Sequence, residues 1–179
     1  MGQDKALIDL GGVPAWRRSV ERMSRLTSEV WLAPGTPGRL GPTGLHEIPD
    51  EGRGPADAIV TALKACSSAL LAVVAVDMPF ADAAVFRFLA GKDRGAGVIP
   101  VWGAQPQPLH GIYRSDSAEP MAALVESGQR SLQRIATELG VELVPEEQLS
   151  AVDPEGLFCF NVNTPENLVH ARTLIDRGL

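Results

Sequence analysis

Leu70-Leu71-Ala72-Val73-Val74-Ala75-Val76 is an unbroken apolar run, closed by Asp77-Met78-Pro79. As a strand it has no polar face to offer water, so both of its sides must be covered. A parallel strand sandwiched between two helical layers meets that requirement. The rest of the chain alternates in kind. Pro14 to Leu26 carries Trp16, Val20 and Met23 at helical spacing, and Val30-Trp31-Leu32-Ala33 is a short apolar run stopped by Pro34-Gly35. Gly35 to Gly44 reads as loop, and Pro55 to Cys66 as helix through Ile59, Ala62 and Leu63. Val98 to Val101 and Leu109 to Tyr113 are further strand candidates, and Ser117 to Glu126, Ser131 to Leu139 and Pro165 to Ile175 further helices. Strands alternating with helices predict an α/β fold, a three-layer α/β/α sandwich with a mostly parallel sheet.

At 179 residues and 45% hydrophobic content the chain can build one substantial core, and no repeat or change of composition marks a second domain. A formal net charge of -6 argues against a nucleic-acid partner, which selects a basic face. No segment approaches the roughly 20 apolar residues of a membrane span. Asp4, Lys5 and Asp9 interrupt the first residues, so the expectation is a cytoplasmic protein without a secretion signal. Cys66 and Cys159 stand far apart in apolar surroundings and are expected to be buried free thiols. His46, His110 and His170 are scattered and are read as non-catalytic.

In α/β sheets ligands gather at the carboxyl ends of parallel strands. Asp77 ends the most apolar strand, where a carboxylate can hold Mg²⁺ against a phosphate or simply cap a turn. Asp50 lies in Ile48-Pro49-Asp50-Glu51-Gly52-Arg53-Gly54-Pro55, a glycine-rich lead into a helix whose amino end favours an anion. Phe160-Asn161-Val162-Asn163 is expected to end a strand with Asn161 and Asn163 on one face, and Thr164-Pro165 to start a helix. Two such asparagines can bind ribose, complete a metal shell, or serve only as turn and cap.

Met1-Gly2-Gln3-Asp4-Lys5-Ala6-Leu7 reads like the tail of a longer signature. Nucleotidyltransferases that activate small phosphorylated molecules open with a strand and a glycine-rich loop, followed by Arg-Met-Gly-x-Asp-Lys. With Gly11-Gly12-Val13-Pro14, Asp50 before Gly54-Pro55, Ala75 to Phe80, Pro108-Leu109 leading to Tyr113, Gly128 to Leu132 and Phe160 to Glu166, in that order, the chain resembles the molybdenum cofactor guanylyltransferases over nearly its whole length.

The resemblance implies a Rossmann-like nucleotidyltransferase fold. It also implies an Mg²⁺-dependent transfer of GMP from GTP to the terminal phosphate of molybdopterin, releasing pyrophosphate. Lys5 would contact the nucleotide phosphates, Asp50 the nucleotide, and Asp77 the Mg²⁺, with Asn161 and Asn163 lining the same pocket. Lys5 and Asp77 are the implied catalytic pair, because two polyanions must meet and fixed cations are the remedy. GTP and molybdopterin are the implied substrates, with other proteins of the molybdenum cofactor pathway as further partners and no membrane.

Two alternatives stay open: a cytidylyl- or other small-metabolite nucleotidyltransferase, and a non-catalytic nucleotide-binding relative. Two departures from the family pattern bear on them. The strand and glycine-rich loop expected before Met1 are missing from this sequence, so the domain reads as incomplete at its amino end. The 179-residue form is then expected to bind GTP·Mg²⁺ weakly or not at all and to be less stable than an extended one. Asp57-Ala58 stands where the family carries glycine at the second position, adding a negative charge near the expected pocket.

Overall fold

A computed structural model describes residues 4–49, 53–92 and 95–179. Its helices are α1 (Ala15–Met23), α2 (Pro55–Ala65), α3 (Ala83–Ala90), α4 (Ala118–Glu126), α5 (Leu132–Glu138), α6 (Glu146–Leu149) and α7 (Pro165–Asp176). The strands are β1 (Trp31–Leu32), β2 (His46–Glu47), β3 (Leu70–Val74), β4 (Gly97–Trp102), β5 (Gln105–Pro106), β6 (His110–Arg114) and β7 (Glu142–Val144). Local chemistry starts the principal helices. Pro55 occupies the first turn of α2 behind Gly54 at φ 109°, Asp82 caps α3 by accepting from the Ala84 N–H, and Thr164 caps α7 by accepting from the Asn167 N–H.

Side-chain alternation along the strands builds the layers. On β4, Ile99 packs with Ile59, Leu63, Met121 and Ile135 from α2, α4 and α5. Its neighbour Val98 packs on the other face with Phe86 and Leu89 from α3 and with Phe158. Ile112 and Tyr113 on β6 divide in the same way. Helices therefore cover both faces, as expected of an α/β sandwich. A third cluster of Ile8, Leu10, Phe80, Val162, Ala171 and Leu174 docks α7 against the first described residues.

The strand directions differ from the expectation. Among the described residues β1 pairs with β2, and β4 with β7, in parallel, whereas β6 runs antiparallel to both β3 and β4, and β5 antiparallel to β4. The sheet is mixed rather than mostly parallel. Connection length supplies the reason: β4 turns into β5 through Gly103 and Ala104 alone, both at positive φ, and β6 follows within a few residues. Strands joined without a crossover helix must reverse direction. Cys66 and Cys159 are both free but only half-buried, not buried as expected, and burial with the nearby Asp153 charge pushes the Cys159 thiol up to about 11.

Candidate functional site

The motif at the amino end and the end of β3 meet. Lys5 stands in a single 3₁₀ turn, Lys5–Leu7, held by the Asp4 carboxylate, which accepts from the Ala6 N–H at 3.0 Å. From there the Lys5 ammonium donates to Asp77 Oδ2 at 2.9 Å and, by a short bond, to Asn163 Oδ1. Asp77 lies just beyond β3, and its carbonyl accepts from the Val162 N–H at 2.9 Å, bringing the segment before α7 to the same place. Asn163 immediately precedes the cap residue Thr164. Lys5, Asp77 and Asn163, separated by up to 158 positions, thus form one hydrogen-bonded cluster at the carboxyl end of β3.

The remaining predicted positions fall differently. Asn161 does not share a strand face with Asn163. Residues 160–163 pair with no strand among the described residues, and Leu157–Cys159 is a 3₁₀ turn. The Asn161 amide turns back to the Cys159 carbonyl at 3.0 Å, and the Asn161 carbonyl accepts from Asn167 at 2.9 Å. Asn161 therefore ties the chain at the mouth of α7, and Asn163 alone reaches Lys5. Asp50 lies outside the described residues. Asp57 is nearly buried in the first turn of α2, between the Arg53 guanidinium at 3.4 Å and that of Arg130 at 3.8 Å. Two cations offset the negative charge that its sequence position introduces.

Sequence reasoning passed over Arg39. It leaves the loop 35–44 to donate to Asp4 Oδ2 at 2.7 Å, which ties that loop to the turn carrying Lys5. A lone arginine in a glycine- and proline-rich loop gives no periodic signal, so nothing in the sequence pointed to it. His110 is fully buried, stacked on Phe86 at 4.3 Å, with neither ring nitrogen hydrogen-bonded among the described residues. Burial lowers its pKa to about 3, which keeps it a neutral core residue away from the cluster.

The cluster suits a metal only in one manner. Among the described residues no group of three His, Cys, Asp or Glu side chains forms a cage. Asp77 offers a single carboxylate, half of the donor pattern in which Mg²⁺ is held by one or two carboxylates together with substrate phosphates. Asp77, Lys5 and a phosphate-bearing ligand would fit that arrangement.

Residues 1–143 match the family described as the MobA-like NTP transferase domain. The chain belongs to that family. Among curated relatives of this MobA-like chain, a probable molybdenum cofactor guanylyltransferase of Pelotomaculum thermopropionicum is 31% identical, over 99% of this chain and 88% of its own length. Another of the same description, from Natronomonas pharaonis, is 34% identical over 94% of this chain and 88% of its own. In fold, the MobA-like chain is similar to the crystal structure of molybdopterin-guanine dinucleotide biosynthesis protein A from Archaeoglobus fulgidus. The TM-score is 0.85 at 24% identity, covering 98% of this chain and 92% of that one.

Proposed function

We propose that this chain transfers GMP from GTP to the terminal phosphate of molybdopterin. A phosphate oxygen of molybdopterin attacks the α-phosphorus of GTP, the bond from that phosphorus to the bridging oxygen breaks, and pyrophosphate leaves with the electron pair. The attacking group is already anionic and needs no general base. The barrier is mainly electrostatic, so what matters is positive charge fixed where the phosphates meet. The convergence of Lys5, Asp77 and Asn163 at the end of β3, in a chain of this family, carries the reading.

Lys5 is held by Asp77 and Asn163. The Lys5 side chain is 46% exposed, and an ion pair that wet contributes only about 0–1 kcal/mol. Exchanging Asp77 for a phosphate oxygen therefore costs Lys5 little. Asp77, freed from the ammonium, would hold Mg²⁺. Bound there, Mg²⁺ would supply further neutralisation of the triphosphate charge. Asn163, fixed at the start of α7, keeps a carbonyl oxygen aimed at the Lys5 ammonium and so orients it.

The test is direct. The chain is incubated with Mg²⁺, molybdopterin and GTP or CTP. Guanylylated product and stoichiometric pyrophosphate are expected with GTP. Product with CTP alone would move the chain to the cytidylyl reading. No product with either nucleotide would overturn the assignment.

A further inference from the structure

The 3₁₀ turn that carries Lys5 spans three residues, too few to hold itself in place. Its carboxyl side is anchored by burial, since Ala6 and Ile8 are almost fully covered. Its amino side is anchored by charge. The Asp4 carboxylate divides its two oxygens: Oδ1 accepts from the Ala6 N–H at 3.0 Å inside the turn, and Oδ2 accepts from the Arg39 guanidinium at 2.7 Å. Arg39 is itself fixed. Its backbone N–H donates to the Thr36 carbonyl at 3.2 Å, and beside it the Gly38 N–H donates to Glu47 Oε2 at 3.2 Å. The other Glu47 oxygen accepts from the Thr43 hydroxyl at 3.4 Å. A continuous line of contacts thus leads from β2, through Glu47, the loop 35–44, Arg39 and Asp4, to the turn from which Lys5 reaches Asp77 and Asn163.

The Arg39–Asp4 pair is unsuited to holding the fold together. The two side chains are 38% and 28% exposed, and ion pairs that wet add little to stability. What a charge-assisted bond of 2.7 Å supplies is direction. The pair also settles a local conflict of charge. Asp4 is the chain neighbour of Lys5, so its carboxylate would repel a phosphate drawn to that ammonium. Arg39 supplies the compensating charge from outside the cluster.

We propose, on the phosphate-binding role already given to Lys5, that Arg39 is a positioning residue: acting through Asp4, it fixes the turn that aims the Lys5 ammonium and neutralises the carboxylate beside it. Asp4 is then needed as strictly as Arg39. A carboxylate has an oxygen for each of its two partners. An asparagine offers one oxygen, and its NH₂ would face either the Ala6 N–H or the guanidinium, donor against donor. Misplacing a group by about 1 Å costs on the order of 100-fold in rate, so losing this brace should show in turnover rather than in stability.

The test uses the whole chain and the variants Arg39→Gln, Asp4→Asn, the two combined, and Arg39→Lys. Two quantities are measured: initial rates of guanylyl transfer, and the rate at which an amine-acylating reagent modifies Lys5, followed by peptide mass spectrometry. Lys64 and Lys92, the only other lysines of the chain, serve as references. Arg39→Gln is expected to lower kcat roughly 10- to 100-fold with a much smaller change in the KM for GTP, and to hasten Lys5 modification relative to both references, with the melting temperature nearly unchanged. Asp4→Asn should match it, and the combined variant should be no worse than the more damaging single one. Arg39→Lys should recover most of the loss, because a single N–H makes the contact. Unchanged Lys5 modification in Arg39→Gln would overturn the proposal, as would unchanged turnover. So would losses that multiply in the combined variant, since Arg39 would then act on the substrate directly. If the wild type transfers no GMP, the proposed reaction fails, while the Lys5 modification rates still decide the positioning.

Discussion

β3 and β4 belong to one sheet and are of similar apolar character, yet their burial differs sharply. The first four residues of β4 are buried, and so are the first four of β6, which includes a histidine and a glycine. All five residues of β3, every one apolar, are half-exposed. Composition cannot be the cause. β4 pairs on both edges and has helices on both faces, whereas β3 pairs only with β6 among the described residues and borders a cavity of 760 Å³. Burial of a strand is thus a property of its neighbours as much as of its side chains. Lys5, Asp77 and Asn163 gather just past the carboxyl end of that half-open strand. The closed side holds the fold together, and the chemistry proposed above belongs to the end of the open strand.

The largest expected effect separates those two roles. Asp77→Asn should reduce guanylyl transfer on the order of 100-fold or more, the usual loss on removing such an electrostatic contact, with the melting temperature nearly unchanged. Initial-rate assays beside thermal melts on the same preparations check it. Full activity in the variant would remove Asp77 from the chemistry, and a collapse in stability would make it a structural residue instead.

Two valines put the same comparison into stability terms. Val98 on β4 is fully buried and Val74 on β3 half-buried, both against the cluster containing Phe86 and Leu89. Val98→Ala should cost about 2–3 kcal/mol and Val74→Ala about 1 kcal/mol or less, from the lost transfer energy plus the cavity left behind. Denaturant unfolding gives both values, and equal costs would mean that the two strands are equally packed.

A smaller effect comes from His110 on the closed side. Its folded pKa of about 3 lies below the ordinary value of 6.5, so between those limits the unfolded chain binds a proton that the folded chain refuses. Stability is therefore complete above pH 6.5, falls as pH drops through that value, and loses about 2 kcal/mol from this group by pH 5. His110→Leu should flatten that part of the profile, read as the difference between variant and wild type across pH 5–7.5. An unchanged slope would mean that His110 is more accessible than its packing indicates.

The legible parts of the fold were those with a local signature. The Leu70–Val76 run, Pro55 opening α2 and Thr164-Pro165 opening α7 each announce an element by chemistry confined to a few residues. α3 was missed because Ala83–Ala90 is apolar on nearly every face, packed against the sheet, and so lacks the polar stripe that defines helical periodicity. β2, β5, β7 and α6 are two to four residues long, too short for any period. The mixed sheet went unread because its hairpin turns on Gly103-Ala104 rather than the Asn-Gly that usually marks two positive φ angles. Motif order singled out Lys5, Asp77 and Asn163, and the structure brings these three side chains together. The different orientation of Asn161 depends on a 3₁₀ turn at Leu157–Cys159 that no residue pattern signals.

The contrast between a closed and an open side is tested most directly by residue-resolved hydrogen exchange along β3 in the 179-residue chain. Leu71 and Val73 bond to β6, whereas Leu70, Ala72 and Val74 turn their backbone groups away from it. Protection should therefore alternate residue by residue, slow at Leu71 and Val73 and fast at Leu70, Ala72 and Val74, with the β6 amides paired to β4 slow as well. Uniformly slow exchange along β3 would show both of its edges paired, and would contradict the division of the molecule into a closed and an open side.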